Sequence, residues 1–434
     1  MKRANNDVSV AYWLLHSYSR SMMWHWFGEV AINGKENIPY RKPCILLPCH
    51  QNGLIDCVTL LAEFEQPITF FAKSALFVNG SVCKIFAFLR IMPAYRQREG
   101  FQNVTKNEEN FRKAVDLLLR GYPFCIMPEG GQHEEHRLHA FVKGPFRIAF
   151  HTQEKLPCGE TVYLLPVGLD YGHYDRIGYP FVLNIGKPIR VDEYMDLYYQ
   201  HEGRALNAIK EDAFNELSSN MLDIRSQEYY AVFYLAAYLY NYRMLQQLNL
   251  PDNLSNRLKA RQKIVGLLDD IALAEPQKLE NLVSKGNDYL KNNPDFVTFS
   301  NSYPKEKWHE VLCFLLVLCP IFIYGLAINF LLTPFILAIN PKLKESGFSA
   351  TIKYVSILIL SPVNHLIMAL IFGVSTSWWL TAFLIVLTGM PITVFMGKYI
   401  RKIRIFRQLC LSKKHKEQIK AIQAELAALF AAVR

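Results

Sequence analysis

The sequence predicts an α/β domain, followed by a helical extension and a C-terminal α-helical transmembrane region. Three observations lead there. Over residues 30–195 short apolar runs alternate with helical periodicity, the pattern of strands and helices layered on one sheet. From Val191 to about Asn293 the chain is rich in Leu, Ala, Glu, Lys and Asn at helical spacing, with a break at Leu250-Pro251, so 196–308 is taken as the extension. From 309 to 397 it becomes strongly apolar. With residues 1–29 ahead and 398–434 behind, five segments result.

The first segment is basic and then aromatic. It lacks an uninterrupted apolar stretch and a small-residue cleavage site, so a cleaved signal peptide is not expected. Ala11, Leu14, Leu15, Tyr18 and Met22 recur at helical spacing, with Trp13, Trp24 and Trp26 close by. That pattern fits an amphipathic helix in the headgroup region. It fits an ordinary core-packing helix equally well.

Within 30–195, CILLPCH, PITFFAKSALF and IMPAYR read as short strands. Asn107–Arg120 returns to helical spacing, with Phe111, Ala114, Val115, Leu118 and Leu119 on one face. GYPFCIMPEGG is turn, strand and glycine-rich loop, and FVKGPFRIAFHTQ starts another helix. TVYLLPVGLDY and FVLNIGKPIRV supply further strands.

The membrane region holds three apolar stretches of spanning length. They are Val311–Ile339, 29 residues without a formal charge, then Val355–Val374 and Trp378–Met396. Eight Lys or Arg lie between Lys398 and Lys416, so translocating the tail would oppose the positive-inside bias. The expectation is therefore a hairpin for Val311–Ile339, broken near Pro320–Asn329. The loop Asn340–Tyr354, with Lys342, Lys344 and Lys353, and the tail would then share the cytoplasmic face.

Among 434 residues the hydrophobic share is 51%, and the formal charge is +10. Such a balance suits nucleic acid, anionic lipid or an acidic substrate; the apolar segments select the membrane and argue against nucleic acid. The nine cysteines are scattered, without Cys-x-x-Cys pairs, so neither a disulfide framework nor a zinc site is expected.

Four blocks carry the chemistry in order: CHQNGLID (Cys49–Asp56), RIMPAYRQR (Arg90–Arg98), MPEGGQH (Met127–His133) and LLPVGLDY (Leu164–Tyr171). His50 and Asp56 flank a glycine-containing turn. If that turn opens a helix, Asp56 can reach back to the imidazole and hold one tautomer, which is what a general base requires. No G-x-S-x-G nucleophile motif is present. Direct attack by an acceptor hydroxyl is therefore simpler than a covalent intermediate. Each pairing alone recurs by chance; the order and the strand-to-loop setting of all four blocks join them.

Those ordered blocks resemble the PlsC-like glycerophospholipid acyltransferase superfamily over about residues 30–195. The resemblance implies His50 and Asp56 as the catalytic dyad and Arg96 as the arginine that grips the acceptor phosphate. Glu129 and Gly130 match its Pro-Glu-Gly block, Pro166 marks the fourth block, and Lys143-Gly144 resembles the Lys-Gly found after the third. Gly131 and Arg98 are taken as further substrate-binding positions. Two departures stand out. Five residues separate His50 from Asp56 where most members have four, and Gln132 stands where an arginine is commoner. Both resemble the branch of yeast-type glycerol-3-phosphate acyltransferases and related bacterial proteins.

The implied activity moves a fatty acyl group from acyl-CoA or acyl-carrier protein to glycerol 3-phosphate or 1-acylglycerol 3-phosphate. No metal or redox cofactor is implied. Expected partners are the acyl donor, the phosphorylated acceptor and membrane lipids, and the expected location is a bacterial inner membrane with the site facing the cytoplasm. The alternatives are another lysolipid as acceptor, a non-catalytic lipid-binding scaffold, and a transporter. The four intact blocks argue against a scaffold. The sparse polar groups of the spans, Asn329, Asn364 and His365, argue against a transporter.

Overall fold

The computed structural model describes residues 8–94, 102–293, 307–334, 346–376, 379–410 and 413–432. Among them, eight strands form one sheet: β1 (Glu29–Asn33), β2 (Cys44–Pro48), β3 (Thr69–Lys73), β4 (Ile91–Ala94), β5 (Phe124–Cys125), β6 (Tyr163–Tyr171), β7 (Pro180–Ile185) and β8 (Ile189–Arg190). The order is β1-β7-β6-β2-β5-β3-β4, with β8 also beside β6. All five residues of β2 are buried, as a central strand covered on both faces requires. Strand β2 runs parallel to β5 and β6, and β3 parallel to β4 and β5. Only β7 and β8 run antiparallel to β6.

Parallel neighbours need crossovers. Helices α2 (Leu54–Glu63), α3 (Gly80–Phe88), α4 (Gln102–Leu119) and α5 (Gly144–Gln153) supply them. The expected face of α4 is the inner one: Ala114, Val115 and Leu118 are buried, and Phe111 and Leu119 pack against them. The sequence reading did not anticipate α3, a short helix capped by Asn79.

Helix α1 (Val10–Trp26) changes one expectation. Its inward residues are Tyr12, Met22, Met23 and Trp26, whereas Leu14, expected on the same stripe as Met22, is 68% exposed. The C-terminal half joins the domain core, and the N-terminal half leaves Val10 and Leu14 uncovered.

The extension comprises α6 (Met195–Gln200), α7 (Glu202–Ser219), α8 (Tyr230–Leu239), α9 (Asn241–Gln247), α10 (Leu254–Ala274) and α11 (Glu280–Asn292). The break at Leu250-Pro251 falls between α9 and α10, where the Asn253 side chain accepts the Asn256 N–H as a helix cap.

Three helices follow: α12 (Trp308–Ile328), α13 (Ser346–Thr376) and α14 (Trp379–Leu409). Two of them are long and apolar enough to cross a membrane, or three if α14, bent by 56° between Gly389 and Pro391, counts as one span. Helix α12 runs unbroken through Pro320 and stops at Ile328. The next residue, Asn329, meets the middles of α13 and α14: its Oδ1 accepts from Thr393 Oγ1 at 2.8 Å and lies 3.1 Å from His365 Nε2. Asn364 Nδ2 donates to Ile328 O at 2.8 Å. These polar groups satisfy a helix end inside an apolar bundle. The return limb expected between Asn329 and Ile339 lies outside the described residues from 335 onward.

Two expectations about this region change. Residues 346–354 are the first turns of α13 and not a loop, so Lys353 belongs to a helix. The basic tail is also helical: 398–409 continue α14, and α15 (Lys413–Ala432) buries Ile422, Leu426, Leu429 and Phe430 against α8 and α11. An apolar face at Ile422, Leu426 and Leu429 has to be buried somewhere, and the extension provides the surface.

Candidate active site

The parallel strands bring their C-terminal ends to one edge, where open α/β sheets present their sites. His50 leaves β2 at that edge, and Glu129 leaves the neighbouring β5. Between β2 and α2 the chain turns at Gly53, with φ 56° and ψ −124°, a conformation that side chains disfavour. The turn puts Asp56 in the first turn of α2, reaching back under the loop that it has just left.

Asp56 is fully buried and accepts four hydrogen bonds. His50 Nδ1 reaches its Oδ2 at 2.9 Å, and the Gln51 and Asn52 N–H groups reach the same oxygen at 3.1 and 2.8 Å. Tyr171 Oη–H donates to Oδ1 at 2.7 Å. This cage of donors holds the carboxylate still and makes Nδ1 the protonated ring nitrogen, which leaves the Nε2 lone pair as the basic site. The five-residue spacing between His50 and Asp56 is therefore compatible with a closed His–Asp pair.

Cys49, beside His50, is no nucleophile. Burial pushes its thiol well above the usual range, Asp56 and Glu129 add to the effect, and its sulfur bonds to the Leu169 backbone.

Glu129 is 8% exposed, and both of its oxygens face backbone. The His50 N–H donates to Oε1 at 3.1 Å and the His139 N–H to Oε2 at 3.0 Å. The His133 N–H donates in turn to His50 O at 3.0 Å. Glu129 thus ties the histidine loop to the 130–139 loop. Burial pushes its carboxyl up to about 7, against the opposing pull of the His139 and His50 N–H bonds. Gly130 follows with φ 66°, and a Cβ there would meet Val142 Cγ1 at 2.9 Å. Val142 N–H bonds to Pro128 O at 2.7 Å, which brings Lys143 and Gly144, at the start of α5, beside that turn. Gly131 packs against the His133 ring, and that ring stacks on His139 with centroids 3.7 Å apart. Pro166 lies within β6, paired with Leu47 of β2. Arg96 and Arg98 lie outside the described residues; Ala94, just before them, ends β4 at the same sheet edge.

Replacing Glu129 with Gln should leave one backbone N–H facing an amide NH₂, at a cost of about 1–3 kcal/mol. A pH signature should accompany it. The raised pKa means that the folded chain keeps a proton between 4.5 and about 7 that the unfolded chain has released. That contribution to stability is complete below the lower value and lost as pH rises through the upper one. Melting temperatures of wild type and Glu129→Gln, compared at pH 5 and pH 8, should show a larger fall with pH in the wild type.

Tyr171, Asn52, Tyr174 and His139 were not singled out from the sequence. Their roles consist of long-range hydrogen bonds, for which no local pattern exists.

An α/β sheet thus presents, at the edge where its parallel strands end, a histidine held by a fully buried aspartate and itself partly open to solvent. The acyltransferase family model matches residues 29–170, the stretch that holds the sheet and the His50–Asp56 pair. The chain is 26% identical over 197 residues to the chloroplastic 1-acyl-sn-glycerol-3-phosphate acyltransferase BAT2 of Brassica napus, covering 45% of this chain and 52% of that one. It is 28% identical over 127 residues to the chloroplastic 1-acyl-sn-glycerol-3-phosphate acyltransferase LPAT1 of Arabidopsis thaliana, covering 29% and 34%. It thus spans about half of the first relative's length and a third of the second's. Among solved structures, the 1-acyl-sn-glycerophosphate acyltransferase PlsC of Thermotoga maritima is similar at a TM-score of 0.36 and 20% identity, over 50% of this chain and 83% of that one.

Proposed function

We propose that the protein transfers a fatty acyl group from a thioester to the free hydroxyl of 1-acylglycerol 3-phosphate at a membrane surface. The observation that carries this is the His50 Nδ1–Asp56 Oδ2 contact of 2.9 Å within the cage of donors around Asp56. His50 Nε2 takes the proton as the hydroxyl oxygen attacks the thioester carbonyl carbon. The C–S bond then breaks as the ester C–O bond forms, and the proton passes to the leaving thiolate. Acyl-CoA or acyl-carrier protein is the donor. Glycerol 3-phosphate is the second reading for the acceptor, favoured by the five-residue His50–Asp56 spacing and by Gln132 in place of arginine. Purified protein with labelled acyl-CoA, offered the two acceptors separately, tests both; product from neither would overturn the proposal.

Arg96, with Lys143 and Arg98, is proposed to neutralise the acceptor phosphate, since a guanidinium suits bidentate phosphate contacts. Arg96→Ala should raise the acceptor KM by tens-fold, from the loss of about 1.5–3 kcal/mol in a charged hydrogen bond. A changed donor KM with the acceptor KM unmoved would assign Arg96 to the other substrate.

The catalytic domain, the start of α13 and the tail are proposed to share the cytoplasmic face of a bacterial inner membrane. Two kinds of contact support this. Ala350 and Tyr354 of α13 belong to the catalytic core, and Arg401 of α14 donates to Gly178 O beside it. Helix α15 rests on the extension. In a cysteine-free background, single cysteines at Ser346 and Glu417 should resist a membrane-impermeant thiol reagent on intact cells and react after permeabilisation. Labelling of either in intact cells would refute the arrangement.

A further inference from the structure

We infer that the first turns of membrane helix α13 cap and position the catalytic turn, with Thr351 and Lys353 as positioning residues; the inference rests on the catalytic reading of His50 and Asp56. The tie is made at the N-terminus of α2. A helix start leaves N–H groups without partners inside the helix, and a side chain at the cap position ordinarily satisfies one of them. Here that position is Gly53, which has no side chain to offer. Asp56 takes the Gln51 and Asn52 N–H groups, which precede the cap. The Leu54 N–H, the first of the helix itself, donates to Thr351 Oγ1 at 3.2 Å, from a residue 297 positions later in the chain. The missing cap is supplied by the membrane helix.

A second tie fixes where Thr351 sits. Asn52 Nδ2 donates to Tyr174 O at 2.8 Å, which fastens the catalytic turn to the loop after β6. The next residue of that loop, Asp175, accepts from Lys353 Nζ, at 2.8 Å through Oδ2 and at 3.2 Å through its carbonyl. Lys353 and Asp175 are only 12% and 18% exposed, so the pair is shielded from the solvent screening that weakens surface pairs. Around it, Ala350, Tyr354 and Ile357 of α13 are buried in the same core as β2 and α2. Any shift of α13 is therefore delivered to the turn that sets Asp56 against His50. Misplacing such a pair by about 1 Å is enough to cost up to about 10²-fold in rate.

The test uses full-length protein in vesicles of phosphatidylethanolamine and phosphatidylglycerol, with labelled acyl-CoA and the phosphorylated acceptor that the wild type turns over. Thr351→Val and Lys353→Met should each lower kcat about tenfold or more, with acceptor KM nearly unchanged and the melting temperature kept. Lys353→Arg should restore most of kcat, because it keeps the charge and the reach to Asp175. A merely structural role would lower the folded fraction and the melting temperature and leave kcat per folded molecule intact; that result overturns the inference. So do full kcat in both variants beside an inactive His50→Ala control, and failure of Lys353→Arg to rescue. An active His50→Ala control would overturn the catalytic reading itself, and this inference with it.

Discussion

His50→Ala should lower acyl transfer by about 10²–10⁴-fold, the usual loss when a general base is removed, while the protein still folds and enters the membrane. The side chain is partly exposed, 20% against 0% for Asp56, so deleting the ring opens little of the core. The backbone of residue 50 keeps its bonds to Glu129 and His133, because an alanine offers the same N–H and C=O. What is lost is the imidazole that Asp56 holds, the proposed proton acceptor. Turnover of labelled acyl-CoA by purified variant in detergent, beside its melting curve, measures both halves of the expectation. Near-normal turnover would remove the dyad from the mechanism.

The largest expected loss of stability is at Asp170→Ala. Asp170 sits in β6 and Arg261 in α10, so their 2.6 Å ion pair joins the sheet to the extension. Both side chains are almost entirely buried, at 3% and 4% exposure. Arg261 also donates to Tyr238 Oη, and His136 Nδ1 lies 3.6 Å from the other Asp170 oxygen. Removing the carboxylate strands a guanidinium that cannot lose its charge, at a cost of about 3–5 kcal/mol. Thermal unfolding in detergent should show a large fall in melting temperature. Replacing both partners with apolar residues of similar size should be milder, since no charge is then left buried alone. If the single and double replacements cost the same, the pair is not what holds the extension in place.

The sequence by itself determined the parts of this protein that depend on near neighbours. Alternation of short apolar runs with amphipathic helices predicts strands, and β2, β3, β4 and β6 lie where CILLP, TFFAK, IMPA and YLLPVGLDY stand. The pairing of His50 with Asp56 was legible for the same reason: one glycine turn separates them, and the first turn of the helix that follows lets Asp56 reach back. Other features were not local. Tyr171 reaches Asp56 across 115 residues and Thr351 reaches Leu54 across 297, and neither contact leaves a periodicity or spacing to read. Glu129 stands out in the sequence only as part of the Pro-Glu-Gly block; the two backbone N–H groups that its oxygens accept from become visible only in the tertiary structure. The start of α13 and the docking of α15 follow the same rule. Lys353 reads as a loop cation until Asp175 is seen beside it, and the apolar face of 413–432 has no destination until α8 and α11 supply one. Secondary structure and the dyad follow from interactions within a few residues. The support that holds the dyad in place comes from groups brought together only when the core excludes water around them.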